Sequence, residues 1–407
     1  MSARKLPKVG YLSGPVDARK VYEAWTSNAH TELFGTSYLT HWFAEMKRQG
    51  RNGVVVTSHD GEAYETQRGD FTIINSPKSR AEGWRYHRDM FRWSYARLLE
   101  MEKRGVRTTV LTDANQYRAT TLPFRRRGMK FVNSFHCAIR SLGHRWASPH
   151  EALIGLSAHT HLRFGDPTMI IVDTIADELE RMPGRAQRKI LLLKPDYRRD
   201  LFEPFKPPRI VSIDVDEVAV IFAGRVTENK GVFDIVEMAE ILRQRSGPKI
   251  TFHIHGEGPA SNLLAQRVAT SPAAENVVLH GFTRGRELLK HYASSDIALV
   301  PTRSTFEEGV AKSVVEGVLT LRPVVTSKAC PSIRMLADAC EEAKVDNPQS
   351  YADAIWRLAN DSKLVRQKVE AARQLREQFF DPPERYDRQL RKALAIAEGR
   401  HTELEAS

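Results

Sequence analysis

From residue 218 onward, short β-branched runs that stop at glycine, proline or serine alternate with stretches of helical periodicity, and few folds accept that pattern. The runs are VAVIFAG (218–224), KITFHIHG ending at Gly256, VVLHG ending at Gly281, IALVP ending at Pro301 and PVVTS ending at Ser327. After the first of them, Val232, Ile235, Val236, Ala239 and Leu242 share one face of a helix placed at 231–245. Strands that are apolar along their whole length have no face to give to water, so both faces of their sheet must be covered. This is the signature of a parallel, doubly wound α/β sheet.

The first half has the same grammar at less regular spacing. PKVGYLSG (7–14), NGVVVTSH (52–59), GVRTTVLTD (105–113), KFVNSFH (130–136) and KILLLKP (189–195) are strand candidates, and helical periodicity fits 36–48 and 84–104. A chain of 407 residues exceeds what one core usually organises. LFEPFKPPRI (201–210) carries three prolines and reads as an extended linker. The expected division is therefore a first α/β domain over 1–205, a linker over 206–217, a second α/β domain over 218–378, and a helical tail over 379–407 that follows the break at FFDPPERY.

An apolar fraction of 41% with 27% charged residues excludes wholesale disorder. No apolar run approaches the roughly 18 to 20 residues that span a bilayer, and MSARKLPKVGYLSG has a basic start with no apolar stretch behind it. Cys137, Cys330 and Cys340 form neither a disulfide framework nor a Cys-x2-Cys metal set. A cytoplasmic protein without a zinc site or other cofactor is expected. Residues 1–210 hold 35 Lys+Arg against 22 Asp+Glu, and the remainder 26 against 28. All the excess positive charge lies in the first half, which points that half toward an anionic partner such as an acidic membrane surface, a phosphorylated acceptor or nucleic acid.

Four groups follow strands of the second half, where an open parallel sheet presents loops to ligands. In AGRVTENKG, Gly224 ends a strand, and Arg225 and Lys230 flank the start of the next helix. A guanidinium and an ammonium beside approachable backbone suit a diphosphate. Gly256 and Gly258 of HGEGP let the chain turn close to a ligand. Gly281 and Phe282 close a further strand. In TFEEGVAKSVVEGVLTLRPVVTS, Gly309 is expected to open a helix on which Glu308 and Glu316, eight positions apart, address the same side. Carboxylates so placed suit two vicinal diols. Each group alone is an ordinary surface or turn feature; their order is what carries information.

That order, Gly-Arg to Lys-Gly, Gly-x-Gly-Pro, strand-Gly-Phe, Glu-Gly, Glu-x7-Glu and Pro-Val-Val, resembles the donor-binding domain of retaining glycosyltransferase family 4 (glycosyl transferases group 1, GT-B fold) over about 211–360. The resemblance implies two Rossmann-like parallel-sheet domains facing a cleft, with a tail helix crossing back to the first domain. It implies that Arg225 and Lys230 neutralise a donor diphosphate, Glu308 meets the transferred sugar, Glu316 the ribose, and Gly309 offers its N–H near the phosphates. Glu307 lacks the spacing to Glu316. In the first half the resemblance is thinner. Gly35-Thr36 resembles a glycine loop of the family, although about twenty residues separate it from the first strand. His136 resembles a strand-end histidine near donor sugar and acceptor. Asp113 and Asn115 follow another strand and are candidates for acceptor hydroxyls. KPDYRRDLFEP lacks the residues usual in the family at that place.

Asp214-Val215-Asp216 is formally an Asp-x-Asp metal signature, but its position beside the proline-rich segment favours a linker. The reading is a transferase without a metal, moving a hexose-type sugar from a nucleotide-diphosphate sugar to a hydroxyl of a glycan or lipid-linked acceptor, with retention, in cell-surface polysaccharide or glycoconjugate synthesis. Peripheral attachment to an anionic membrane face is expected through Arg125, Arg126, Arg127 and Lys130 beside Phe124, Met129 and Phe131, and through Arg185, Arg188 and Lys189. The alternatives are a nucleotide-sugar epimerase or hydrolase, a DNA-modifying glycosyltransferase, and a non-catalytic relative of the same fold.

Overall fold

The computed structural model describes residues 6–27, 37–112, 118–137, 164–171, 173, 176–177, 189–211 and 215–400. The first half builds one sheet from β1 (Lys8–Leu12), β2 (Gly53–Thr57), β3 (Tyr64–Arg68), β4 (Phe71–Asn75), β5 (Val106–Leu111), β6 (Lys130–Phe135), β7 (Thr168–Ile170) and β8 (Ile190–Leu192). Their order is β3-β4-β2-β1-β5-β6-β7-β8, parallel throughout except that β3 runs antiparallel to β4 at the edge. The second half builds a wholly parallel sheet from β9 (Glu217–Ala223), β10 (Lys249–His255), β11 (Val277–Gly281), β12 (Ile297–Val300), β13 (Val324–Thr326) and β14 (Cys340–Glu342), in the order β11-β10-β9-β12-β13-β14.

Ten helices of eight residues or more accompany the described strands: α1 (Ala18–Thr26), α2 (Tyr38–Arg48), α3 (Gly83–Lys103), α4 (Val232–Leu242), α5 (Ser261–Ala269), α6 (Gly285–Ser294), α7 (Lys312–Leu319), α8 (Pro348–Asn360), α9 (Ser362–Leu375) and α10 (Tyr386–Glu398). Two glycines show how tightly helices seat on the sheets. A Cβ at Gly53 would lie 2.3 Å from the Trp42 ring of α2, and one at Gly317 of α7 would lie 2.7 Å from Val324 of β13. The Ser37 hydroxyl starts α2 by accepting from Thr40 N–H at 3.1 Å.

The β3–β4 hairpin departs from the sequence reading. YETQR alternates half-buried and exposed and lacks an apolar run, because an edge strand covers little of the core. Gly69 turns the hairpin at φ +55°.

The chain after α9 returns to the first sheet. Arg51, fully buried, donates to Glu398 of α10 through Nη2 at 2.7 Å and Nη1 at 3.1 Å, while its Nε and Nη2 also reach Pro7 O. Arg391 of α10 bonds both oxygens of Glu45 on α2 at 3.1 Å. The proline-rich segment is not a free tether either. Phe202 and Ile210 are buried, and the Arg322 guanidinium bonds the carbonyls of Lys206, Tyr292 and Ala293.

The basic cluster of the first half is also built differently from expectation. Phe124, Met129 and Phe131 are core residues. Arg125 pairs with Asp166 at 2.8 Å through Nη1, and Arg127 with Glu102 at 2.8 Å. The short helix Leu122–Arg126 and β6 turn their apolar sides inward, so these side chains serve the core, and of the four cations Arg125 and Arg127 are paired while Arg126 and Lys130 are exposed. Arg185 and Arg188 lie outside the described residues.

Candidate functional site

In both sheets the strand order reverses beside the first strand, and such a switch point opens a crevice at the carboxyl ends of the strands. In the second sheet it falls between β9 and β12. The loop after β9 is packed main chain on main chain. A Cβ at Gly256 (φ +144°) would meet Gly224 O at 1.8 Å, and one at Gly258 would meet Val226 O at 2.2 Å. Only glycine fits there, so the loops after β9 and β10 lie directly against each other.

Lys230 ends a turn over Glu228–Lys230, and Gly231 then enters α4 at φ +72°, where a Cβ would stand 2.1 Å from Pro301 O. This contact places Lys230 under the loop that follows β12. Its Nζ donates to Glu308 Oε2 and lies 4.0 Å from the Phe306 ring centroid. Thr302 Oγ1 donates to the same carboxylate oxygen at 3.4 Å. The loop is held by Arg303 Nη1 on Asp234 at 2.9 Å and by Ser304 N–H on Asp346 at 2.9 Å. Arg225, by contrast, is exposed, and its guanidinium has no hydrogen bond or ion pair among the described residues. One cation is thus spoken for and the other is open to a ligand.

Glu308 and Glu316 do not share a helix. Helix α7 begins only at Lys312, so Gly309 does not open it. The chain stays in a loop there because Gly309 passes under the first domain: a Cβ on it would sit 2.1 Å from His136 O. Ala311 N–H is satisfied sideways by Ser332 Oγ at 3.0 Å. Glu316, one turn into α7, is half-buried and receives the Tyr292 hydroxyl at 3.4 Å. Burial raises its carboxyl pKa above the ordinary value, against the pull of Lys312.

Across from Gly309, the end of β6 presents His136. Its ring stacks on Tyr38 of α2 at 4.1 Å and lies 6.1 Å from Tyr386 of α10. Its Nε2 shares a hydrogen bond with Ser134 Oγ at 3.1 Å, and its buried Nδ1 has no hydrogen-bond partner among the described residues. Burial first, and Lys312 second, lower its pKa to about 3, so the ring is neutral. Neutral imidazole with an open nitrogen is a hydrogen-bonding group for a polar ligand.

The structure therefore brings Arg225, Lys230, Glu308, Gly309 and Glu316 to one end of the second sheet, with His136 facing them. Gly224, Gly256 and Gly258 hold the loops after β9 and β10 against each other beside them. Phe282 is exposed at the end of β11, its N–H toward Glu257 Oε1 at 3.4 Å. A cavity of about 410 Å³ opens beside Val226, lined by Gly256, Glu257, Gly258, Asn262 and Gly281; Lys230 and Glu308 do not line it. Gly35, Asp113, Asn115 and Asp214 lie outside the described residues. Tyr38, Ser134, Lys312 and Tyr386 were not singled out from the sequence. They come from four separate segments, and nothing in their spacing marks them.

Two α/β domains that meet at the carboxyl ends of their strands, one of them carrying a cationic, glycine-packed loop, define the GT-B class of fold. Residues 217–361 match the family described as Glycosyl transferases group 1. An uncharacterized glycosyltransferase of Methanocaldococcus jannaschii is 26% identical over 38% of this chain and 38% of its own length. A poly(ribitol-phosphate) alpha-N-acetylglucosaminyltransferase of Staphylococcus aureus is 28% identical over 37% of this chain and 30% of its own. The matches thus span about a third of those relatives. Among solved structures, a sucrose-phosphate synthase from Thermosynechococcus elongatus superimposes with a TM-score of 0.67 at 15% identity, over 99% of this chain and 100% of that one.

Proposed function

We propose that this chain is a retaining glycosyltransferase that uses a nucleotide-diphosphate sugar. The observation that carries the reading is the pairing at the switch point of the second sheet: open Arg225 and glutamate-held Lys230 on one loop, opposite His136. In this reading the diphosphate lies over the loop after β9, with Arg225 and Lys230 meeting its charge and Gly309 donating its N–H. Glu308, released from Lys230 as the phosphates take the ammonium, accepts hydrogen bonds from sugar hydroxyls. Glu316 accepts from the ribose diol.

The anomeric carbon to phosphate oxygen bond breaks and a bond to the acceptor hydroxyl oxygen forms on the same face. The acceptor proton passes to the leaving diphosphate, so no protein nucleophile is required. Stabilising the departing charge is the main catalytic requirement, and fixed groups so placed are worth on the order of 10²- to 10³-fold in rate. A relative that transfers N-acetylglucosamine to a polyol phosphate polymer favours a hexose-type sugar and a hydroxylated cell-surface acceptor.

The test is a thermal-shift screen against UDP-, GDP- and ADP-sugars, followed by the anomeric configuration of the product by NMR. Stabilisation by one nucleotide class and a product of unchanged configuration support the reading; no stabilisation by any of them, or an inverted product, overturns it. Release of free or epimerised sugar without acceptor would instead mark an epimerase or hydrolase.

A specific surface favours a membrane-bound acceptor. No helix among the described residues is long and apolar enough to cross a bilayer. Helix α3, however, exposes Trp84 and Phe91, with the guanidiniums of Arg85 and Arg88 at 6.0 and 5.2 Å from the Trp84 ring. A basic helix face with exposed aromatic rings suits an anionic interface. Sedimentation with acidic vesicles at low salt, lost in the Trp84→Ser variant, is the expected result. Equal sedimentation of both proteins leaves a freely dissolved acceptor.

A further inference from the structure

Four histidines meet at the carboxyl ends of β10 and β11 and on the adjoining face of α6, outside the groups assigned above. We propose that His255, His280 and His291 form a site for one divalent transition-metal ion, with imidazole-preferring ions such as Zn²⁺ or Co²⁺ as the class. One ring nitrogen from each of the three lies within 4.8 Å of the others.

The independent observation is His255. It is 2% exposed, yet its Nε2 is buried without a hydrogen-bond partner among the described residues. A buried polar nitrogen left unsatisfied is costly and calls for a partner. Its other nitrogen is already engaged, Nδ1 with Thr283 Oγ1 at 3.1 Å. This is the arrangement of a ligating imidazole: one nitrogen fixed by an outer hydrogen bond, the other turned to the ion. In the stacked arrangement His280 Nε2 is bonded to His253 Nδ1 at 3.0 Å, a bond that a ligating, turned ring exchanges for the ion.

Three imidazoles with an open fourth position suit zinc, copper, nickel or cobalt and do not suit magnesium or calcium. Lone pairs lie in the ring planes, and the His255 and His280 rings are stacked at 4.2 Å with 8° between planes. Ligation therefore turns the exposed His280 ring out of that stack. His255 and His280 immediately precede Gly256 and Gly281, which line the cavity beside Val226, so an ion there stiffens the rim of that cavity.

The experiment is a titration of the full chain with Co²⁺, read by its visible absorption and reversed with Zn²⁺. A Cys137→Ser background removes the exposed thiol. His280→Ala and His291→Gln are compared with it, and circular dichroism confirms folding; both rings reach solvent, so the core is spared. The expected result is one saturable site whose affinity falls at least about ten-fold in each variant, the scale of losing a group that shapes a metal site. Absence of saturable binding overturns the proposal. So does binding that is unchanged in both variants, which would leave the four rings as an aromatic stack that needs no ion.

Discussion

The two sides of the cleft are built by different means. On the second domain, the loops after β9, β10 and β12 are fixed by backbone against backbone: Gly256 on Gly224 O, Gly258 on Val226 O, Gly231 on Pro301 O. On the first domain, the end of β6 is fixed by side chains, with His136 stacked on Tyr38 and leaning toward Tyr386 from the far end of the chain. Contacts of the first kind leave glycine as the sole solution and write themselves into the sequence. Contacts of the second kind can be met by many residue combinations. The charges divide the same way: cations and carboxylates on the second domain, neutral rings on the first.

The largest expected effects test that division at the diphosphate. Arg225→Ala should lower turnover on the order of 10²- to 10³-fold with an unchanged circular dichroism spectrum, because the side chain is exposed. Lys230→Ala should lower turnover similarly but also lower stability, by up to about 3 to 5 kcal/mol, since it strands the largely buried Glu308 carboxylate. The double variant Lys230→Met with Glu308→Gln should recover the stability and none of the turnover. Retention of near wild-type turnover in Arg225→Ala would remove the diphosphate from this loop.

A smaller effect probes the backbone argument itself. Gly256→Ala places a Cβ 1.8 Å from Gly224 O at φ +144°, whereas Gly50→Ala at φ +61° enters open space. Urea unfolding should show Gly50→Ala losing about 1 to 2 kcal/mol, the left-handed penalty alone. Gly256→Ala should lose that and a further roughly 1 to 3 kcal/mol of overpacking. Equal losses would mean that the loops separate easily and that backbone contact does not require glycine at 256.

How much could be read in advance follows from the same division. The strand ends at Gly224, Gly256, Gly281 and Pro301 were legible because strand, turn and glycine fall together in the sequence. The Glu308 to Glu316 spacing was legible as a motif but not as geometry. Its eight residues suggested one helix face, while the approach of Gly309 to His136 O, from the other domain, holds the first four in a loop. The β3–β4 hairpin carries too few apolar residues to signal itself. Tyr38 and Tyr386, and the histidines of β10, β11 and α6, are joined only by tertiary packing of elements distant in the chain, which no local spacing encodes.

Glu316 offers a test in which function and stability move in opposite directions. Its carboxyl pKa is raised in the folded protein, so the charged form is disfavoured there relative to the unfolded chain. Above the ordinary carboxylate range this subtracts from stability, and the loss disappears as pH falls below it. Glu316→Gln should therefore raise the unfolding midpoint at pH 7, with the gain vanishing in acid. The same change should weaken binding of the free nucleotide diphosphate about ten-fold, the scale of a hydrogen bond to a charged group. Glu308→Gln should spare the free nucleotide and weaken the sugar-bearing donor. Equal effects of both variants on the free nucleotide would reverse or void the two assignments.

The smallest expected effect concerns the first domain. Burial first and Lys312 second lower the His136 pKa to about 3, so the ring is neutral between pH 5 and 8. Its contribution to transfer is then a fixed hydrogen bond from or to Nδ1, not a titrating acid or base. His136→Phe preserves a ring against Tyr38 and removes that hydrogen bond. Nucleotide affinity should be unchanged, and turnover should fall about ten-fold, near the 1.4 kcal/mol of one modest hydrogen bond. The pH profiles of the two proteins between pH 5 and 8 should have the same shape, displaced by a constant factor. A wild-type inflection near pH 6.5 that disappears in His136→Phe would show the ring titrating in the working enzyme. It would place general acid or base chemistry on the first domain, and the charge division between the two sides of the cleft would fail.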